Sequence, residues 1–203
     1  MLLTDLTPML PPDVAFDFQV DGVDVGEGEH AIAVLIDNSP LSHHYSSRCE
    51  VSGLAPGYHL LRAFLCTPQP DQVCLKTPMA YVEAEFHVES LLAPPQRGFL
   101  FGQPSLVMLA PRVELARSEA SSFVVDFFVN NCEVSDLPHG FSVKVVLNGS
   151  EAGTLRKWAP IRVSGGVAIG DKLQLRLVLV NPVGQDVMFP PFNCEEHTIH
   201  VVD

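Results

Sequence analysis

Asp17–Val34, DFQVDGVDVGEGEHAIAV, is matched without a gap by Asp126–Val143, DFFVNNCEVSDLPHGFSV. Asp17, Phe18, Val20, Val25, His30 and Val34 recur as Asp126, Phe127, Val129, Val134, His139 and Val143. The acids Asp21, Asp24 and Glu27 return as Asn130, Glu133 and Asp136. The echo keeps its order downstream: Val51-Ser52-Gly53 returns as Val163-Ser164-Gly165, Gly57 as Gly170, and Phe86-His87-Val88 as Ile199-His200-Val201. Preserved order and spacing mark a duplicated unit, and two copies are too few for a solenoid, which needs three or more.

Each copy reads as strands. Val14, Phe16, Phe18 and Val20 alternate with Ala15, Asp17 and Gln19, the period of a half-buried strand. Asp21-Gly22 and Gly26-Glu27-Gly28 break the run before the apolar strand Ala31–Ile36, and Asp37-Asn38-Ser39-Pro40 turns the chain. Leu41–Val51 is polar, as an exposed edge segment would be. Gly53-Leu54-Ala55-Pro56-Gly57 then feeds Tyr58–Cys66, YHLLRAFLC, apolar on both faces and so a central strand. In Ala80–Val88, Tyr81, Glu83, Glu85 and His87 alternate with Ala80, Val82, Ala84, Phe86 and Val88, predicting a core face and a water face.

The second unit predicts strands at Leu106–Leu115, Ser122–Val129, Phe141–Leu147, Lys172–Val180, Phe189–Phe192 and His197–Val202. No 3.6-residue apolar period runs longer than a turn or two, so the fold class is all-β, with almost no helix. The chain reads as two tandem immunoglobulin-like (fibronectin-III-like) β-sandwich domains from an internal duplication. The expected boundaries are 11–92 and 104–203, with an extended apolar arm at 1–10 and an apolar Pro/Gly linker at 93–103. Phe18 should lie over Phe127, Val34 over Val143, His30 over His139 and His87 over His200.

The corner before Tyr58 resembles the E–F corner of immunoglobulin and fibronectin sandwiches, where a residue past the turn hydrogen-bonds back across it; His59 stands in that place. The stretches IDNSPLSHHY, GLAPGYHLLRAF and LKTPMAYVEAEFHV, within Val34–Val88, resemble uncharacterised immunoglobulin-like domains of bacterial, including cyanobacterial, proteins. In that group an aromatic-His-Glu-Ser stretch precedes the lysine, whereas here Asp71-Gln72-Val73-Cys74 comes before Lys76. The resemblance implies the sandwich fold and brings no activity with it.

Composition narrows the function classes. A formal charge of −12, with only 12 Lys and Arg, argues against nucleic acid, whose phosphates require clustered cations. No apolar run reaches the roughly 20 residues that span a bilayer, and MLLTDLTPMLPP lacks the basic start of a secretory signal. The expectation is a soluble or peripheral protein, with association to a membrane complex left open. Hydrophobic residues at 47% against 18% charged exceed what two small cores need, and point to apolar surface that meets other protein subunits.

Catalytic signatures are missing: no GxSxG, SxxK, Cys-His pair, P-loop, GxGxxG or HExxH occurs. Catalytic residues, cofactors and metal ligands are therefore all read as none. His43 and His44 are adjacent, so on a strand they face opposite ways, and the acidic loop Asp21, Asp24, Glu27, Glu29 loses its would-be ligands in the second copy. Five cysteines leave at least one thiol unpaired. Cys66 with Cys74 and Cys132 with Cys194 are pairings open in an oxidising compartment, inert thiols being the preferred reading; Asn148-Gly149-Ser150 is a glycosylation sequon if the chain is secreted.

The expected role is a non-catalytic structural or interaction subunit that docks on a larger assembly through arm, linker and sheet surfaces. The candidate contact residues are Leu6, Met9, Leu10, Phe99, Leu100, Phe101 and Trp158. The alternative is a ligand-binding module, with carbohydrate stacked on Trp158, Tyr45 or Tyr58, or an accessory domain pair of an enzyme system. Three tyrosines and one tryptophan are few for stacking sugars.

Overall fold

The computed structural model describes residues 1–4, 9–37, 39, 41–68, 73–90, 103–111, 114–120, 122–164, 172–187 and 194–202. The chain divides into two compact units, Met1–Gly98 and Phe99–Asp203. The first unit contains β1 (Leu2–Thr4), β2 (Met9–Leu10), β3 (Val14–Gln19), β4 (Ala31–Ile36), β5 (Ser42–His44), β6 (Arg48–Val51), β7 (Gly57–Cys66) and β8 (Tyr81–Val88). They form a three-stranded sheet, β1-β3-β6, and a five-stranded sheet, β2-β8-β7-β4-β5.

The second unit repeats this with β9 (Ser105–Ala110), β10 (Glu114–Ala116), β11 (Ser122–Asn130), β12 (Ser142–Leu147), β13 (Ser150–Leu155), β14 (Ile161–Ser164), β15 (Lys172–Val180) and β16 (Cys194–Val202). Its sheets run β14-β11-β9 and β10-β16-β15-β12-β13, the same order strand for strand. Both units are thus immunoglobulin-like sandwiches: the first strand is split between the two sheets, and the last two strands lie together in the larger sheet. Among the described residues helix is confined to one turn at Arg117–Ala120 and a 3-10 turn at Pro78–Ala80.

Alternation builds each core. In the first unit Phe16, Phe18, Ile32, Val34, Leu61, Ala63, Phe86 and Val88 face inward, with Phe16 and Phe86 edge to face at 5.3 Å. Each such phenylalanine contributes about 1.5–3 kcal/mol by burial. Val125, Phe127, Val143, Val145, Leu175, Leu177 and Ile199 do the same in the second unit.

The register shows how closely the copies agree. Val14 and Phe16 pair with Val51 and Cys49; Phe123 and Val125 pair with Val163 and Ile161. Phe18 therefore corresponds to Phe127 and Val51 to Val163. His87 stands beside Met9 as His200 stands beside Glu114, in the same parallel pairing. Gly170 lies outside the described residues.

The ungapped match fails in the loop after β3. Val25 bridges His30, whereas Val134 bridges Phe141. The hydrogen bonds agree: Gly26 N–H donates to the His30 carbonyl and His30 N–H to that of Asp24, while Ser135 N–H donates to Phe141 and Phe141 N–H to Glu133. His30 thus corresponds to Phe141 and not to His139, because residues 135–140 replace the shorter 26–29. The same insertion carries Val34 onto Val145 in place of Val143: Val34 opposes Ala63 and Val145 opposes Leu177.

Three further expectations are corrected. Within the expected 1–10 arm, Leu2–Thr4 and Met9–Leu10 belong to the first sandwich, since β1 pairs with β3, β2 pairs with β8, and Leu3 and Leu10 pack on its core. Leu41–Val51 is two strands, β5 and β6, in opposite sheets. On β8 the outward face is not all water: the Glu83 side chain is only 7% exposed, because it meets Arg62.

Candidate interaction surfaces

The candidate contact residues fall into different settings. Leu6, Phe99, Leu100 and Phe101, with the 93–103 linker except Gln103, lie outside the described residues. Leu10 is spent on the core, while Met9 beside it is 53% exposed. Trp158 packs against the second core, its ring edge to face with Phe128 at 5.1 Å, and its Nε1–H donates to the Phe127 carbonyl at 3.2 Å. Both its ring and its N–H are engaged within its own domain, so it is a poor stacking platform.

Two tyrosines are similarly occupied. The Tyr58 hydroxyl donates to Glu85 and the Tyr81 hydroxyl to Glu83. Burial and the neighbouring carboxylates push both phenols up in pKa.

Sequence reading missed an apolar spot on the first unit. The Met1 nitrogen donates to the Met79 carbonyl at 2.7 Å, and the Leu2 and Met79 side chains are 61% and 81% exposed. The signal was present in the isolated Met79 between Pro78 and Ala80, but nothing local shows which face of a turn will look outward.

Polar groups that could do chemistry are dispersed. Among the described residues no three His, Cys, Asp or Glu side chains stand together to hold a metal ion. His44 Nε2 is 3.0 Å from Ser42 Oγ, and burial holds that imidazole below its ordinary pKa. Asp21, Asp24, Glu27 and Glu29 are all exposed in the loop after β3. Cys66 and Cys74 form a disulfide, against the preferred reading of inert thiols. They oppose each other across the hairpin leaving β7, where Thr67 N–H donates to the Val73 carbonyl. Cys132 is a free thiol, so the Cys132–Cys194 bridge is not made; burial pushes it up to about 12, and burial with the Asp17 charge does the same for Cys49.

A second missed feature recurs in both units on the outer face of the larger sheet. Arg62 stands between Leu35 and Glu83 in register, and Arg176 between Val146 and Glu196. In the first unit Arg62 is 0% exposed, with Nε 3.4 Å from Glu83 Oε2. In the second, Arg176 and Glu196 line an open hollow of about 150 Å³ with Val146, Gly149 and Gln174.

No helix among the described residues is long and apolar enough to cross a membrane. No protein-family model matches the chain. No curated protein matches it. Among solved structures it is similar to the fibronectin(III)-like modules of Clostridium thermocellum CbhA, at 12% identity over 95% of this chain and 87% of that one, with a TM-score of 0.36. It is also similar to the central fibronectin-III array of RIM-binding protein, at 14% identity, 99% and 68% coverage and a TM-score of 0.31. Dimeric latent PorU from Porphyromonas gingivalis matches at 17% identity over 99% of this chain but 20% of that one, with a TM-score of 0.30. The strand order set out above is what defines both units as immunoglobulin-like.

Proposed function

We propose that this chain is a non-catalytic interaction subunit: two sandwiches that present apolar side chains to other protein subunits of a larger assembly. The observation that carries this reading is the strong exposure of two long apolar side chains, Leu2 and Met79, on an otherwise well-filled sandwich. An exposed leucine alone is unremarkable, but several long apolar side chains exposed on one small unit offer apolar surface to a partner. Met9 extends the apolar surface of the same unit, and Phe99-Leu100-Phe101 supplies more apolar sequence between the two. Dispersed polar groups and engaged aromatic rings favour this role over catalysis or sugar stacking. The Cys66–Cys74 disulfide supports an oxidising setting.

The test combines scattering with co-purification from the native source. A stoichiometric protein partner should be retained by the wild-type chain and lost from the variants Leu2→Ser/Met79→Ser and Phe99→Ser/Phe101→Ser, both still folded by circular dichroism. A wild-type chain that stays monomeric, binds no apolar dye and brings down the same proteins as the variants would overturn the proposal.

A further inference from the structure

His59 is wedged between two oxygens. Its Nδ1 lies 2.8 Å from Asp37 Oδ2 and its Nε2 2.7 Å from the Ala55 carbonyl oxygen, with the ring stacked on Phe86 at 5.4 Å. A carboxylate and a carbonyl only accept, so both contacts are hydrogen bonds only when each ring nitrogen carries a hydrogen. A neutral imidazole has one such hydrogen and would turn a lone pair toward one of the two oxygens.

Each oxygen belongs to a separate piece of backbone. Asp37 holds the turn after β4 in the left-handed region, at φ 53°, and is tied to β7 twice: its N–H donates to the Leu60 carbonyl at 2.8 Å, and its Oδ1 accepts the Leu60 N–H at 2.9 Å. Ala55 belongs to the 53–57 corner, which is anchored on its far side by Gly53 N–H to Asp13 Oδ1 and Leu54 N–H to the Pro12 carbonyl. Among the described residues, His59 joins the corner to the turn by side-chain hydrogen bonds.

The second unit supplies an internal comparison. Asn148, at φ 47°, makes the same pair with Gln174: its N–H donates to the Gln174 carbonyl and its Oδ1 accepts the Gln174 N–H. The residue before Gln174 is Leu173, which is buried and cannot ionise. The turn is therefore built without a histidine in one unit and beside one in the other.

We infer that His59 is a proton-operated clasp in the first unit. With both nitrogens protonated it ties the 53–57 corner to the Asp37 turn; loss of either hydrogen frees one end. Of the groups facing the ring, Asp37 is the titratable one; Phe86 from β8 and the Ala55 carbonyl are uncharged. Tyr58, Glu85 and His87, their sequence neighbours, sit on the opposite face of the sheet.

The test is a pH series of ring-nitrogen NMR spectra on the whole chain, with amide protection factors read in parallel. Both His59 nitrogens should carry hydrogen at pH 5.5. As His59 loses a proton, protection at Leu60 and Asp37, or at Gly53 and Leu54, should fall about tenfold, the scale of one charge-assisted hydrogen bond. Asn148 and Gln174 should not change through the same titration, and His59→Gln should abolish the pH dependence. A ring with a single hydrogen at pH 5.5, or protection at all four sites that ignores the His59 titration, would overturn the clasp.

Discussion

The outer faces of the two five-stranded sheets start from the same plan and end differently. Both carry an arginine on β7 or β15 opposite a glutamate on β8 or β16. In the first unit the pair is shut away with Leu35, Leu60 and Phe64, all buried. In the second it lines a hollow, flanked by exposed Gln174 and Lys172. Duplication has preserved the inward alternation and the strand register, since a slip of one residue would turn a core face outward. The outer face is free of that constraint and has diverged.

The largest effect that can break this comparison is at the glutamates. Glu83→Ala removes a buried carboxylate from beside the buried Arg62 and should cost about 3–5 kcal/mol, whereas Glu196→Ala on the open face should cost under ~1 kcal/mol. Urea unfolding followed separately for the two units checks this. Equal losses would mean that the two faces are not differently buried.

The hairpins after β7 and β15 differ next. Among the described residues only the first has a disulfide, closing a separation of 8 residues, and loop-closure entropy gives it about 2.5 kcal/mol. Cys66→Ser/Cys74→Ser should lower the urea midpoint of the first unit and leave that of the second unchanged.

The loops after β3 and β11 sharpen the comparison further. A Cβ on Gly140 would lie 2.4 Å from the Ser135 carbonyl oxygen, so Gly140→Ala should cost about 1–3 kcal/mol. Glu29, which precedes the bridging His30 as Gly140 precedes Phe141, is exposed, and Glu29→Ala should change stability by less than about 0.5 kcal/mol. A further effect is at the turns: Asn148→Ala removes the acceptor for Gln174 N–H and should cost about 1 kcal/mol, while Asn148→Asp, the residue of the first unit, should be nearly silent. Thermal melting of each variant reads both.

Strand alternation in Val14–Val20 and the echo of Phe18 in Phe127 made the sandwich and its repetition legible, because core-facing periodicity is written residue by residue. The corner histidine was legible too, from Pro56-Gly57 and its distance to His59. The two-residue insertion was not: His30 and His139 coincide in an ungapped match, and only backbone hydrogen bonds show that Phe141 takes the place of His30. The prolines near the start argued for an arm, yet a short chain between Pro8 and Pro11 still fits as a two-residue strand on β8. The Arg–Glu pair was hidden because a charged residue in YHLLRAFLC reads as an exposed position. Its burial depends on a partner 21 residues further on, at Glu83.

The shared frame is tested most directly by inter-strand nuclear Overhauser contacts in the two loops after β3 and β11. Backbone contacts should link Val25 to His30 and Val134 to Phe141, with Phe16 opposite Cys49 and Val125 opposite Ile161. Contacts from Val134 to His139, or a register in which Phe16 and Val125 meet non-equivalent partners, would contradict two sandwiches built on one duplicated frame.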